Sequence, residues 1–183
     1  MLQTVVGLVY NGSNSMRYSL AMNEAKDYNG DGYRGNSLLY IPTESELAQM
    51  NFASEDDRAK FGAFIEGDSY AKNHRGQYAD RNSNLGKWEN RVDLHIAENI
   101  FYLKNRGGKV QLTLDVLNFA NLLNKKWGTS YADDLWALQV LKVNSITNSN
   151  GVATPTFSYN NQSLYANNLN SRWHMQIGCK VTF

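Results

Sequence analysis

Two stretches of the chain carry residue types whose spacing could do chemistry. Asp27-Tyr28-Asn29-Gly30-Asp31-Gly32 has the D-x-N-x-D-G spacing of a calcium loop. In such a loop alternate oxygen side chains converge on a hard cation, and the last glycine permits a sharp turn. Asp27, Asn29 and Asp31 are therefore the candidate metal ligands, and calcium is the candidate cofactor. The twelfth position, where a bidentate carboxylate would close the loop, holds Leu38, so the same residues also read as an Asn/Asp/Gly turn. The second stretch is Glu89, Arg91, Asp93 and His95 at alternate positions, accompanied by Lys109, Gln111 and Asp115. Carboxylates beside an imidazole suggest acid–base hydrolysis. Same-face residues on one strand, however, stand about 7 Å apart, twice the ~3.3 Å rise, which suits a charge ladder better than a hydrogen-bonded catalytic pair. The expectation is a mixed-charge wall facing water, with no catalytic residue and no enzyme activity.

The rest of the composition narrows the options. His74 and His174 share no metal-ligand spacing with one another or with His95, and the sequence has no Gly-rich phosphate loop, CxxC pair or G-x-S-x-G. Net charge is +1 and Lys125-Lys126 is an isolated basic pair, so no nucleic-acid partner is expected. The single cysteine, Cys179, excludes an intrachain disulfide and reads as a small apolar residue. Mean hydropathy is −0.52 and no apolar run approaches the ~20 residues of a membrane helix. That leaves membrane strands open, because their alternation averages to polar.

The elements that must position these residues are strands. Ser171 to Phe183 places Trp173, Met175, Ile177, Cys179, Val181 and Phe183 on one side and Arg172, His174, Gln176, Lys180 and Thr182 on the other. Val92, Leu94, Ile96 and Ile100 oppose the charged residues of the 89–95 stretch, and Val110, Leu112, Leu114 and Val116 oppose Lys109, Gln111, Thr113 and Asp115. Met16–Met22 alternates likewise, and weaker patterns over Leu2–Tyr10, Trp136–Ile146 and Val152–Tyr159 bring the expected count to seven strands. The stretch from Trp136 to Ile146 is apolar on both faces near its middle.

Turn signals at Asn11–Ser15, Asn105–Gly108 and Asn148–Gly151 alternate with long connections at Glu24–Lys87, Ala120–Leu135 and Asn160–Asn170. In an up-and-down meander this parity gathers the long loops at one end, as in outer-membrane barrels. Bacterial single-chain barrels have even strand numbers, so seven strands read as an all-β antiparallel meander forming an arc of a larger barrel. Glu89, Arg91, Asp93, His95, Gln111, Asp115, Arg172 and Gln176 then face the lumen, and the Val/Leu/Ile face meets outer-membrane lipid. Aromatics near strand ends, Tyr10, Tyr18, Trp88, Tyr102, Trp173 and Phe183, read as interfacial girdles. Within the segment 24–87, Thr43-x-x-Glu46 is a capping box opening a short helix. Ser54 followed by Glu55, Asp56 and Asp57 caps a second, whose Phe61, Phe64 and Ile65 share a face. The start, Met1-Leu2-Gln3-Thr4, has neither a basic region nor a cleavage site, so the chain is expected to be part of a longer protein.

Three runs of residues carry a resemblance. Arg75-Gly76-Gln77-Tyr78-Ala79-Asp80-Arg81-Asn82 with Trp88-Glu89-Asn90-Arg91-Val92-Asp93 is one, and Asp115-Val116-Leu117-Asn118-Phe119-Ala120-Asn121-Leu122-Leu123-Asn124-Lys125-Lys126-Trp127-Gly128 is the second. Asn29-Gly30-Asp31-Gly32 followed by Leu39-Tyr40-Ile41-Pro42 is the third. In order and spacing the chain resembles the C-terminal barrel region of SusC/RagA-type TonB-dependent receptors. The resemblance implies residues 1–183 as the last strands of a 22-stranded barrel in the outer membrane of a Gram-negative bacterium of Bacteroidota type. It implies residues 24–87 as a long, helix-containing extracellular loop. It also implies import of glycan oligosaccharides or peptides, a SusD-like surface lipoprotein as partner, and TonB engaged through an N-terminal part that lies upstream. The contrasting expectation is a soluble β-rich carbohydrate-binding module in which the apolar faces form an ordinary core.

Overall fold

The computed structural model describes residues 3–103, 108–132 and 137–182. In chain order its elements are β1 (Gln3–Asn14), β2 (Arg17–Asn23), β3 (Tyr40–Ile41), α1 (Glu44–Gln49), α2 (Glu55–Gly67), a 3-10 turn (Ala71–Asn73), β4 (Gln77–Tyr78) and β5 (Asn84–Leu85). They continue with β6 (Trp88–Leu103), β7 (Gly108–Leu117), α3 (Phe119–Leu123), β8 (Ser130–Ala132), β9 (Ala137–Ser149), β10 (Val152–Tyr159), β11 (Tyr165–Asn167) and β12 (His174–Thr182). The protein is mostly β, with antiparallel sheets. The described residues contain no helix long and apolar enough to cross a membrane. Residues Asn105–Gly107 of the turn expected at Asn105–Gly108, the first residue of the Trp136 stretch, Leu2, Phe183 and the side chain of Tyr102 lie outside the described residues.

The chain divides into two compact units. A sheet unit is built from Met1–Ser15, Lys87–Ala132 and Tyr165–Phe183, and a core unit from Met16–Gly86 and Asp133–Leu164.

The sheet unit carries a four-stranded sheet in the order β1-β6-β7-β12, antiparallel throughout. Its register puts residues in rows. Val6, Ile96, Leu114 and Ile177 stand opposite one another, as do Leu8, Leu94, Val116 and Met175. On the other face Gly7, His95, Asp115 and Gln176 form one row, and Gln3, Asn99, Gln111 and Lys180 another. The two-residue period read from the sequence thus becomes one apolar and one polar face. Gly178 keeps the polar face in register, since a Cβ there would lie 2.5 Å from Thr113 Oγ1.

The seven-strand meander is corrected. Only four of the seven expected strands share this sheet; β2, β9 and β10 belong to the core unit, in the order β10-β9-β2-β5, with β2 and β9 parallel. The expected turn at Asn11–Ser15 is also corrected, because β1 runs through to Asn14, which pairs with Trp88. Gly12 serves a close approach rather than a turn: a Cβ there would meet the Tyr10 hydroxyl at 2.5 Å and the Trp88 ring at 2.7 Å. The expected turn at Asn148–Gly151 does form, with Asn150 and Gly151 both at positive φ (51° and 79°), as a two-residue hairpin requires. Pro155 sits on β10, at the edge of its sheet, where a missing N–H is tolerated.

The core unit holds the buried hydrophobic cluster. Leu20 and Val140 from the paired strands meet Leu39, Ile41, Phe61 and Ile65, all without solvent exposure. Both expected helices are present. Thr43 and Glu46 form the capping box of α1, and Ser54 caps α2, whose Phe61 and Ile65 are buried, with Phe64 packed against the same cluster. Tyr18, expected in an interfacial girdle, is instead buried here on β2, at 7% exposure.

The asparagine-rich run after β7 is a stitched loop. Asn118 takes a left-handed conformation (φ 54°) and is buried; its Nδ2 donates to the carbonyls of Gly128 and Ser171, both at 2.8 Å, and its N–H donates to Asp93 Oδ1 at 2.7 Å. Asn121 Nδ2 donates to the Lys125 and Trp127 carbonyls, and Asn124 Oδ1 accepts the Lys126 N–H. Asn118→Ala strands two carbonyls and puts alanine at a left-handed position. It is expected to lower the unfolding free energy by about 2–3 kcal/mol, read by chemical denaturation. Asn124→Ala, at an exposed site, is expected to cost less than about 1 kcal/mol.

Candidate functional site

The residues singled out by the sequence fall in two places. Those of the polar face lie in the sheet unit. Glu89, Arg91, Asp93, His95, Gln111, Asp115 and Gln176 share one side of the sheet by register, whereas Arg172 sits in the bend before β12. The structure brings together a pair that along-strand spacing does not anticipate. His95 and Asp115 are cross-strand neighbours, with Nδ1 2.6 Å from Oδ1. Their row continues to Gly7 and Gln176 and supplies no nucleophile. The other groups form local ties. Arg91 Nε donates to Asp93 Oδ1 at 3.0 Å, Gln111 Nε2 to Asn99 Oδ1 at 3.1 Å, and Asn99 Nδ2 to Gln3 Oε1 at 3.3 Å. Glu89 Oε1 accepts the Tyr131 N–H at 2.5 Å. The wall is a hydrogen-bonded, water-facing lattice rather than a row of independent charges.

The loop of Asp27, Asn29 and Asp31 lies in the core unit and closes on its own donors. Asp27 accepts the N–H groups of Gly30 (2.7 Å) and Gly32 (2.8 Å), Asn29 Oδ1 that of Asp31 (3.1 Å), and Asp31 that of Tyr33 (2.9 Å). Gly30 and Gly32 supply the positive φ (75° and 89°) that these consecutive turns need. The Tyr33 N–H first, and then Asn36 Nδ2 at 2.6 Å, hold the Asp31 carboxyl below its ordinary pKa. Among the described residues no group of three or more His, Cys, Asp or Glu is placed to share an ion.

Beside this loop, still within the core unit, opens a cleft of about 680 Å³. That is the size of a small-molecule site. Tyr28, Tyr40, Tyr78 and Phe157 line it together with apolar Met22, Leu38 and Met50 and polar Asn29, Asn36, Glu46 and Arg81. Two of the recognised runs build one wall: Leu39-Tyr40-Ile41-Pro42 lies against Arg75–Asp80. Tyr40 pairs with Tyr78, Gly76 N–H donates to the Ile41 carbonyl, Ala79 N–H to the Leu39 carbonyl, and Arg75 Nη1 to the Pro42 carbonyl at 2.9 Å. The rings of Tyr40 and Tyr78 meet edge to face, centroids 5.2 Å apart.

Glu46 fixes that wall. Its carboxylate accepts the Thr43 N–H at 2.8 Å, the Thr43 hydroxyl at 2.9 Å and the Tyr40 hydroxyl at 2.9 Å. These bonds depress its pKa in that order of effect, and the Tyr40 phenol is raised in turn, chiefly by its bond to Glu46. Arg81 has no carboxylate within ion-pair distance among the described residues. Sequence reasoning missed this cleft. Its residues are scattered over β2, β3, β4, β9 and β10, and only the pairing of two distant runs assembles them.

Compared with models of protein families, with curated proteins and with solved structures, the chain matches none of them.

Asp57 joins Glu46 and Asp31 as a carboxyl held below its ordinary pKa, by the Ser54 hydroxyl at 2.6 Å and then the Tyr159 N–H at 2.9 Å. A folded pKa below the unfolded value contributes stability at neutral pH that is lost as pH falls through the folded value. The core unit is therefore expected to lose stability below about pH 4. The midpoint of thermal unfolding, followed by tyrosine near-ultraviolet circular dichroism, checks this. Asp57→Asn and Glu46→Gln should flatten its acid dependence.

Proposed function

We propose that this chain is the C-terminal part of an outer-membrane transporter of the TonB-dependent SusC/RagA type, importing glycan oligosaccharides or peptides. One observation carries the reading. The hydrophobic cluster among the described residues lies in the core unit, while the sheet leaves the apolar face of its outer strands β1 and β12 open, with Leu8 65% and Ile177 74% exposed; on the inner strand β7 Val116 is buried. A water-soluble sheet buries such a face; in a bilayer, acyl chains cover it.

Four further features support it. β1, β6, β7 and β12 are 12, 16, 10 and 9 residues long, enough for a tilted membrane strand of about 9–11 residues. The sheet order follows the chain as an antiparallel meander, of four strands rather than seven. Both long connections leave from the end where Asn14 meets Trp88 and Leu117 meets His174. The outer edges of β1 and β12 carry no partner strand among the described residues, and strands upstream in a closed barrel would satisfy them.

In this reading the polar lattice lines the lumen and residues 24–87 face outside. The tyrosine-lined cleft is where a glycan or peptide first meets the chain, under a SusD-like lipoprotein. Energy coupling through TonB belongs to the upstream part. The alternative, a soluble β-rich carbohydrate-binding module, draws on the self-contained core unit and its cleft, and it requires a cover for the apolar face.

Substitution on the two faces separates the readings. Leu114→Lys, in the middle apolar row, is expected to cost about 2–4 kcal/mol of stability for the full-length protein in lipid vesicles, whereas Gln111→Lys on the polar face is mild. Leu112→Lys is expected to cost less than Leu114→Lys, because Glu98 stands opposite it. Equal tolerance of lysine at positions 111 and 114 overturns the face assignment.

A further inference from the structure

At the long-connection end of the apolar face lies a second cleft, of about 310 Å³. Its walls include Trp88, Asn90 and Val92 of β6 and Lys126, Trp127 and Tyr131 of the loop beyond α3. The register puts Trp88, Asn90 and Val92 on the apolar side of the sheet, in line with Leu94 and Ile96. The position of the loop is fixed by the Asn118 bond to Gly128 and the Asn121 bond to Trp127. Trp88 and Trp127 are each 55% exposed. Asn90 Oδ1 accepts the Trp88 indole N–H at 3.0 Å and the Tyr10 hydroxyl at 2.9 Å, which aims both rings and leaves the Asn90 NH2 group free to donate. The Lys126 ammonium has no carboxylate within ion-pair distance among the described residues.

A lipid-covered surface alone needs no such cleft. A cation with no ion pair among the described residues and an outward amide donor, between two half-exposed indoles at the end of an apolar strip, match an amphiphile with an anionic head. We propose, resting on the membrane reading above, that this cleft binds the phosphate-bearing headgroup of a membrane lipid. Lys126 and the Asn90 amide meet the phosphate oxygens, Trp88 and Trp127 flank the glycerol region as interfacial indoles do, and the acyl chains run along Val92, Leu94 and Ile96. A free phosphate in water would use the cation but gain nothing from the indoles or the apolar strip.

The test uses the full-length protein in phosphatidylcholine nanodiscs doped with brominated-chain phosphatidylglycerol or brominated-chain phosphatidylcholine, reading quenching of tryptophan fluorescence. The brominated phosphatidylglycerol is expected to act at about fivefold lower mole fraction. Lys126→Gln should abolish that preference and leave quenching by phosphatidylcholine unchanged, and Trp127→Phe should remove part of the quenched emission. Equal quenching by the two lipids in the unmodified protein overturns the headgroup site and leaves the membrane reading standing. Quenching by neither takes both down. A Lys126-dependent fluorescence change with soluble glycerol phosphate, as strong as that with phosphatidylglycerol, overturns the lipid as the source of the phosphate.

Discussion

An antiparallel ladder satisfies the backbone of β1, β6, β7 and β12 while leaving the hydrophobic side chains of its outer strands exposed on one face. Everything else about the sheet unit follows from that asymmetry. Because the side-chain period is two, a slip of one residue in any pairing would carry charges to the apolar side and leucines to the polar side. Register is therefore pinned at several points: Gly178 fits under Thr113, the amides of Gln3, Asn99 and Gln111 join across strands, and His95 bonds to Asp115. Among the described residues assigned to the apolar face by register, Glu98 is the one charged side chain, and Thr4 donates its hydroxyl to it.

How much of this is legible in the sequence depends on which physical signal each element leaves. The two faces of the sheet are legible, because the alternation survives into the structure, interrupted by Val5 and Val9 on the polar side and by a register shift between Asn99 and Phe101. The helices of the core unit are legible from their caps, Thr43 with Glu46 and Ser54 with the acids that follow. Strand partnership is not. β2 alternates as cleanly as β7, yet it pairs in parallel with β9 at the centre of a different sheet. The apolar doublet Val140-Leu141 of β9 marks a register shift in that pairing: Leu138, Val140, Leu141 and Val143 are buried, while Lys142 and Asn144 are exposed. The same burial removes Tyr18 from any interfacial role. His95 and Asp115 were invisible as a pair because their contact depends on the register between strands, which along-strand spacing cannot supply.

The runs that carry the family resemblance have a physical reading of their own. Arg75–Asp80 zips onto Leu39–Pro42 to make a wall of the cleft, with Tyr70 and Asp80 locked by a reciprocal pair of hydrogen bonds. Trp88–Asp93 is hydrogen-bonded to the asparagine-rich run through Asp93, which takes both the Arg91 guanidinium and the Asn118 N–H. Asn121 and Asn124 are spent on the backbone of their own loop, and Asn118 on the carbonyls of Gly128 and Ser171. Gly128 is required because any Cβ would collide with the Asn118 amide. These residues shape loops, so their pattern speaks to architecture, and recognition falls to the side chains those loops present.

The parallel pairing of Ser19 with Ala137 joins the connection between β1 and β6 to the connection between β7 and β12. Those two stretches are consequently one folded body and not a pair of independent flaps. Whatever moves one of them must carry the other, so a cut within either would loosen both at once.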